Sequence, residues 1–167
     1  MAGTRRPARG ETAKLQKTLV LLKPDAVQRG LVGEIVSRLE ARGLKIVGMK
    51  MIQVSREIAL RLYEEHQGKP FFDGLVGFIT SGPIVAMAVE AESAVELVRR
   101  TMGATRPLDS EPGTIRGDLA VDTGRNLIHG SDSPESADRE LALFFYEDEL
   151  LGYTRDTDNW IAETTEA

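Results

Sequence analysis

Apolar positions along this chain switch repeatedly between a period near two and a period near 3.6 residues, and each switch marks an element. Thr18–Leu22 (TLVLL) is a short apolar run that stops at Lys23-Pro24-Asp25, the pattern of a buried strand punctuated by proline. Leu31, Val32, Ile35, Val36 and Leu39 then recur at helical spacing, and Gly43 supplies a stop. Leu44, Ile46, Val47, Met49, Met51, Ile52 and Val54 return to a period near two, which predicts a second strand over Leu44–Val54. Ser55 is placed to cap a helix through about Glu65, and Phe71–Thr80 has the amphipathic spacing of another, closed by Ser81-Gly82-Pro83. Ile84–Val89 (IVAMAV) is a continuous apolar run and predicts a central strand. Ser93 and Glu96 stand at capping-box spacing and open a helix that Gly103 can end. Ala104–Arg125 has no sustained period and reads as a long functional loop. A short strand around His129 follows, and Ser133-Pro134 starts a last helix running to about Tyr146.

Without the insertions, the order is βαββαβ, which predicts an α+β sandwich with helices against a largely antiparallel sheet. A chain of 167 residues suits one domain with a real core. Residues 1–17 read as a flexible basic extension, with Arg5, Arg6 and Arg9 but no apolar run, and so not as a secretory signal. Residues 18–153 read as the domain. Residues 154–167 are expected to form a tail, docked through side chains such as Trp160 on the body or on a neighbouring subunit. With no apolar run near the ~20 residues a bilayer span needs, the expected location is the cytoplasm, with no membrane partner. The formal net charge of −5 argues against nonspecific nucleic-acid binding but leaves room for a phosphorylated small molecule held by a few converging cations.

With no cysteine in the chain, thiol chemistry and thiolate metal sites are excluded. The two histidines, His66 and His129, are too far apart in sequence to suggest a metal site, so no protein-held metal is expected. His129 lies in Asn126-Leu127-Ile128-His129-Gly130-Ser131-Asp132-Ser133, beside glycine and small hydroxyl residues. Near neutral pH, part of an imidazole population is uncharged and nucleophilic without a separate base. Neither GxxxxGK[ST] nor GxGxxG occurs, so a nucleotide would have to be held by side chains, for which Lys23, Arg99, Thr105 and Arg116 are candidates.

TLVLLKPDAVQRGLVGEI, KPFFDGLV, SGPIVAMAVE, PGTIRGD and GRNLIHGSDSPESADREL together resemble the nucleoside diphosphate kinase family, in matching order and spacing from about Lys17 to Tyr153. The resemblance implies a ferredoxin-like fold. It also implies ping-pong transfer, in which a nucleoside triphosphate (ATP, GTP or another, deoxy forms included) gives its γ-phosphate to a histidine that passes it to a nucleoside diphosphate. His129 would be the nucleophile, attacking through Nδ1 to give pros-phosphohistidine. Glu140 would accept from Nε2, and Ser131 would contact that glutamate. Taken alone, Glu140 reads as an exposed helix carboxylate.

By the same resemblance Lys23, Tyr63, Arg99, Thr105, Arg116 and Asn126 bind phosphates and ribose, and the base stacks on Phe71 near Leu75. Phe71 by itself would read as core, like Phe72. Stacking tolerates any base, so broad specificity would follow. Mg²⁺ is implied as a bridge between the β- and γ-phosphates. Asp132 is either the acidic residue with a water-mediated role or a cap beside Ser133. Two positions depart from the family pattern: Lys69, where many members have arginine, and Thr123, where an apolar residue is common. The family assembles as hexamers or tetramers from a common dimer, and the C-terminal segment favours the hexamer. Rival readings are a non-catalytic scaffolding relative and a ferredoxin-like RNA-binding module. The intact polar set disfavours the first, and the acidic balance disfavours the second.

Overall fold

A computed structural model describes residues 15–163. The chain runs β1 (Leu15–Leu22), α1 (Pro24–Gln28), α2 (Val32–Ala41), β2 (Lys45–Ile52), α3 (Arg56–Leu62), α4 (Phe72–Ile79), β3 (Ile84–Glu92), α5 (Ala94–Met102), α6 (Ile115–Leu119), β4 (Ile128–Gly130), α7 (Pro134–Phe144) and α8 (Asp158–Ile161). The strands form a four-stranded sheet in the order β2-β3-β1-β4, with every pairing antiparallel. This is the ferredoxin-like α+β arrangement that the sequence predicts.

Both faces of the sheet are covered, which explains why β1 and β3 read as continuous apolar runs rather than alternating ones. Leu19, Leu21, Ala86 and Ala88 pack on one side with Ala59, Leu62, Val76, Ile79, Leu141 and Phe144 of α3, α4 and α7. Val20, Leu22, Val85, Met87 and Val89 pack on the other with Ile35, Leu39, Val98, Met102 and Ile115 of α2, α5 and α6. β4 pairs with β1 through Val20↔Gly130, Leu21↔His129 and Leu22↔Ile128. Residues paired across a ladder share a face, so His129 projects toward the α7 side with Leu21. Ile128 and Gly130 turn toward α5. A Cβ at Gly130 would lie 2.8 Å from Val98 Cγ1 and 3.0 Å from Met102 Sδ, so only glycine lets β4 sit this close to α5.

Several local expectations are corrected. β1 begins at Leu15, paired with Glu92, so Leu15, Gln16 and Lys17 belong to the sheet rather than to an extension ending at residue 17. The rest of the expected extension lies outside the described residues. Ser93 does not form a capping box. It sits at φ 54°, with no side-chain cap bond, and the Val95 N–H is taken instead by Gln16 Oε1 at 2.8 Å. The Pro24 turn continues into α1, with the proline in the first turn, where its missing N–H costs nothing. The loop over 104–125 contains a 3₁₀ turn (Pro107–Asp109) and α6, which Thr114 caps by accepting from Gly117 N at 3.0 Å. Periodicity misses α6 because its five residues are too few to show one.

The break in alternation at Ile46-Val47 is a β-bulge in the edge strand β2. The bulged Val47 carbonyl accepts from Leu151 N at 2.8 Å, which ties the C-terminal segment to the sheet. Further on, Arg155 donates to Gly43 O at 3.1 Å and Ile161 covers Gly43, so the described part of the tail lies on the body of its own chain.

Candidate active site

The end of β1, the strand β4 and the first turns around them open into a cavity of about 580 Å³. Lys23, Tyr63, Phe71, Leu75, Arg99, Thr105, Arg116, Asn126, His129 and Glu140 all line it. They come from segments far apart in sequence, and the Lys23–Asn126 contact alone spans 103 residues. Ser131, the remaining expected residue, is fully buried behind His129 and reaches the site through Glu140.

His129 Nε2 lies 3.0 Å from Glu140 Oε2, and Ser131 Oγ donates to the same oxygen at 2.5 Å. α7 begins with Ser133, whose side chain accepts from Ser136 N at 3.1 Å, and its length carries Glu140 back beside the ring. Glu140 is therefore a buried carboxylate, unlike the exposed one that its sequence context alone suggests. Burial pushes its carboxyl upward, but the hydrogen bond and charge of His129, the Ser131 hydroxyl and the Arg139 charge bring it below the ordinary glutamate value. A carboxylate held ionised here favours the tautomer with the proton on Nε2, leaving the Nδ1 lone pair free.

The basic side of the cavity is desolvated. Lys23 caps the end of β1, and its Nζ donates to Asn126 Oδ1 at 2.5 Å. Its pKa falls to about 8, chiefly through burial and then through Arg116, with Asp25 acting in the opposite sense. Arg116 is lowered to about 10 by burial and by Arg99. Its guanidinium donates to three carbonyls: Nε to Asn126 at 3.1 Å, Nη1 to Gly103 at 3.3 Å and Nη2 to Ile128 at 2.6 Å. It thus fixes the backbone beneath β4 as well as lining the cavity. Asn126 Nδ2 donates to the Thr105 carbonyl at 2.8 Å, so the Thr105 hydroxyl is not what holds this contact.

At the apolar mouth, Phe71 and Phe72 separate. Phe72 packs against the core, while Phe71 is 52% exposed at the N-terminus of α4. Leu75 lies one turn on. Tyr63 is buried, and burial with the nearby Glu140 charge raises its pKa, so it remains a neutral phenol. Asp132 is exposed on the cavity wall, and Ser133 rather than Asp132 caps α7. Thr123 also lines the wall. Lys69 points back, with Nζ 3.3 Å from His66 Nδ1 and 5.8 Å from the Phe71 ring centroid.

The sequence reading missed Arg139, His66 and Asp25. Arg139 lies on the wall beside Glu140, with Nη1 donating to Arg61 O at 3.1 Å and lying 3.6 Å from Glu64, and so joins α7 to the end of α3. His66 meets Phe71 edge-on at 5.4 Å. Asp25 accepts from Leu127 N at 3.0 Å. The only signal for it was its place directly after Lys23-Pro24.

A ferredoxin-like domain with an oriented imidazole facing a cation-lined cavity has the makings of a phosphotransferase. The nucleoside diphosphate kinase family model matches residues 16–150. A nucleoside diphosphate kinase from Carboxydothermus hydrogenoformans is 60% identical over 149 residues, covering 89% of this chain and 100% of that protein. One from Thermomicrobium roseum is 59% identical over 147 residues, covering 88% and 99%. Among solved structures, a halophilic nucleoside diphosphate kinase from Halobacterium salinarum in complex with CDP superposes with a TM-score of 0.86 at 54% identity, covering 89% of this chain and 99% of that one. A nucleoside diphosphate kinase family protein from Babesia bovis gives 0.85 at 41% identity, covering 88% and 99%. The chain belongs to the nucleoside diphosphate kinase family, and its activity is phosphoryl transfer between nucleoside tri- and diphosphates.

Proposed function

We propose that the reaction is ping-pong, with His129 as the phosphate carrier. A nucleoside triphosphate enters the cavity, and Nδ1 of His129 attacks its γ-phosphorus. The bond to the β,γ-bridging oxygen breaks, and the diphosphate leaves with the electron pair. A second nucleoside diphosphate then takes the phosphoryl group from Nδ1 by the reverse displacement. The observation that carries this reading is the His129 Nε2–Glu140 Oε2 contact at 3.0 Å, which commits one nitrogen of a cavity-lining ring and leaves the other without a hydrogen-bond partner among the described residues. As positive charge develops on the phosphorylated ring, the ionised Glu140 stabilises it.

Lys23, Arg99 and Arg116 supply positive charge for the phosphates, with Asn126, Thr105 and Tyr63 as polar neighbours. A loose transition state asks mainly for alignment and charge neutralisation, and this set offers both. The base rests on Phe71 near Leu75, and a stacking platform with an open edge accepts any base, purine or pyrimidine. Among the described residues no group of three His, Asp or Glu is placed to hold a metal, and the Glu140 carboxylate is engaged by His129 and Ser131. We propose that Mg²⁺ arrives on the nucleotide, with Asp132 able to meet its water shell. Carried in on the nucleotide's phosphates, the ion would neutralise charge on the transferring group.

Among the described residues no helix is long and apolar enough to cross a membrane, and we place the enzyme in the cytoplasm. We assign it a hexamer, for which the C-terminal segment supplies a platform.

The test is incubation with ATP labelled at the γ-phosphate. His129 should carry acid-labile, base-stable phosphate, and His129→Ala should carry none and lose exchange. Wild-type exchange by His129→Ala would overturn the mechanism.

A further inference from the structure

Leu127, between Asn126 and His129, has φ 72° although it is a bulky, fully buried residue. Its two neighbours close on each other, with Ile128 N donating to Asn126 O at 2.8 Å, so Leu127 is the centre of a γ-turn of the rare, strained hand. Such a turn persists only where its surroundings determine it. Here the backbone groups around it are held from the site itself. Leu127 O accepts from Lys23 N at 2.8 Å, and Asn126 O and Ile128 O accept from Arg116. Leu127 N donates to Asp25 Oδ2 at 3.0 Å. Asp25 is 9% exposed, and its second oxygen, Oδ1, is buried with no hydrogen-bond partner among the described residues.

A buried carboxylate with one oxygen unpaired is costly if hydrogen bonding is its only purpose. A backbone N–H could equally be held by a neutral amide. The charge has a purpose of its own: Leu127 is held between Lys23 N and Asp25 Oδ2, and the Asp25 charge favours the protonated forms of Lys23 and Arg116.

We propose that Asp25 is a positioning residue for phosphoryl transfer, clamping the strained Leu127 turn that sets Asn126 and His129 and supplying a buried negative charge two residues from Lys23. This rests on the reading of the cavity as the phosphotransfer site. The groups that face Lys23 are Arg116 from α6 and Arg125 from the segment before β4, both of which disfavour its proton, and Asp25 from α1, which favours it. Asp25 also raises Arg116 against the effect of burial. Lys23 stands at about 8, and removing the Asp25 charge moves it further down.

Two variants separate the two roles. Asp25→Asn keeps an acceptor for Leu127 N and removes the charge, whereas Asp25→Ala removes both. The readouts are kcat/KM against pH between 6 and 9.5, which reports free-enzyme ionisations, and the rate of labelling of His129. For Asp25→Asn, the alkaline limb should move to lower pH by about one unit, with kcat at pH 6 within about threefold of wild type. For Asp25→Ala, the limb should move likewise, and labelling at pH 6 should slow by about tenfold or more, because the turn under His129 relaxes. An alkaline limb in Asp25→Asn that coincides with wild type overturns the inference, and so does wild-type labelling by Asp25→Ala. Wild-type protein that takes no label on His129 would instead sink the proposed mechanism, so the two failures are distinct.

Discussion

On the proposed mechanism, Glu140 and Ser131 govern which form of His129 faces the nucleotide. Glu140→Gln keeps the shape but removes the charge that we propose stabilises the phosphorylated ring, so kcat should fall by about 10²-fold while nucleotide KM changes little. A large rise in KM with unchanged kcat would contradict the role. Ser131→Ala removes a donor that helps hold the Glu140 carboxyl below its ordinary value. The sign is fixed: losing that hydrogen bond raises the carboxyl pKa, so the acid limb of the kcat profile should move to higher pH. The measurement is kcat between pH 4 and 7, and a limb that stays or moves the other way refutes it. For Lys23, lowered to about 8, the same reasoning places the fall in kcat/KM on the alkaline side, as the ammonium loses its proton.

At the scale of elements, β4 is the critical piece, and Gly130 fixes its distance from α5. Gly130→Ala would place a methyl 2.8 Å from Val98 and 3.0 Å from Met102. Overpacking of this kind costs about 1–3 kcal/mol, readable by urea denaturation, and it should also lower activity by tilting His129 away from Glu140. Unchanged stability would mean that α5 can yield. Most strands and helices were legible in the sequence because their apolar spacing matched the faces they bury. The bulge at Val47 even left its mark as two successive apolar residues. What escaped were elements specified by single polar contacts. α6 depends on the Thr114 cap and on Asp118, which accepts from Gly113 N at 2.8 Å and pairs with Arg38 at 2.6 Å. Ser93 could not cap because its φ of 54° is set by the turn out of β3, and Gln16, from a strand far away in sequence, does the work instead. For the site, motif resemblance named many of the cavity-lining residues. It could not name Asp25 or Arg139, whose partners are settled only by tertiary packing.

For the whole molecule, the edge strand β2 leaves Met49 and Met51 exposed at 47% and 60%, and the tail from Leu151 to Ile161 lies across the same end of the body. The tail is held by Tyr153, whose hydroxyl donates to Ile46 O at 2.6 Å, and by Lys45 Nζ, which donates to Tyr153 O at 2.7 Å and pairs with Glu90 at 2.8 Å. Sedimentation velocity should return a single species at six times the protomer mass of 18.3 kDa. A species of one or two protomers at micromolar concentration would overturn the hexamer.

The ladder between β1 and β4 also bears on how the protein matures. His129 pairs with Leu21, and the Leu127 N–H waits for Asp25, 102 residues earlier in the chain. During synthesis the first strand is therefore made long before the segment it must hold. It can pair with β3 well before β4 exists, leaving its other edge open. The cavity can close only once α7 has emerged and brought Glu140 home. Nascent or prematurely ended chains would carry a sheet without a reaction centre, and contacts this distant in sequence form slowly. Recovery of phosphotransfer after dilution from denaturant should therefore lag behind the return of helix and strand signals, making activity a late reporter of completed folding.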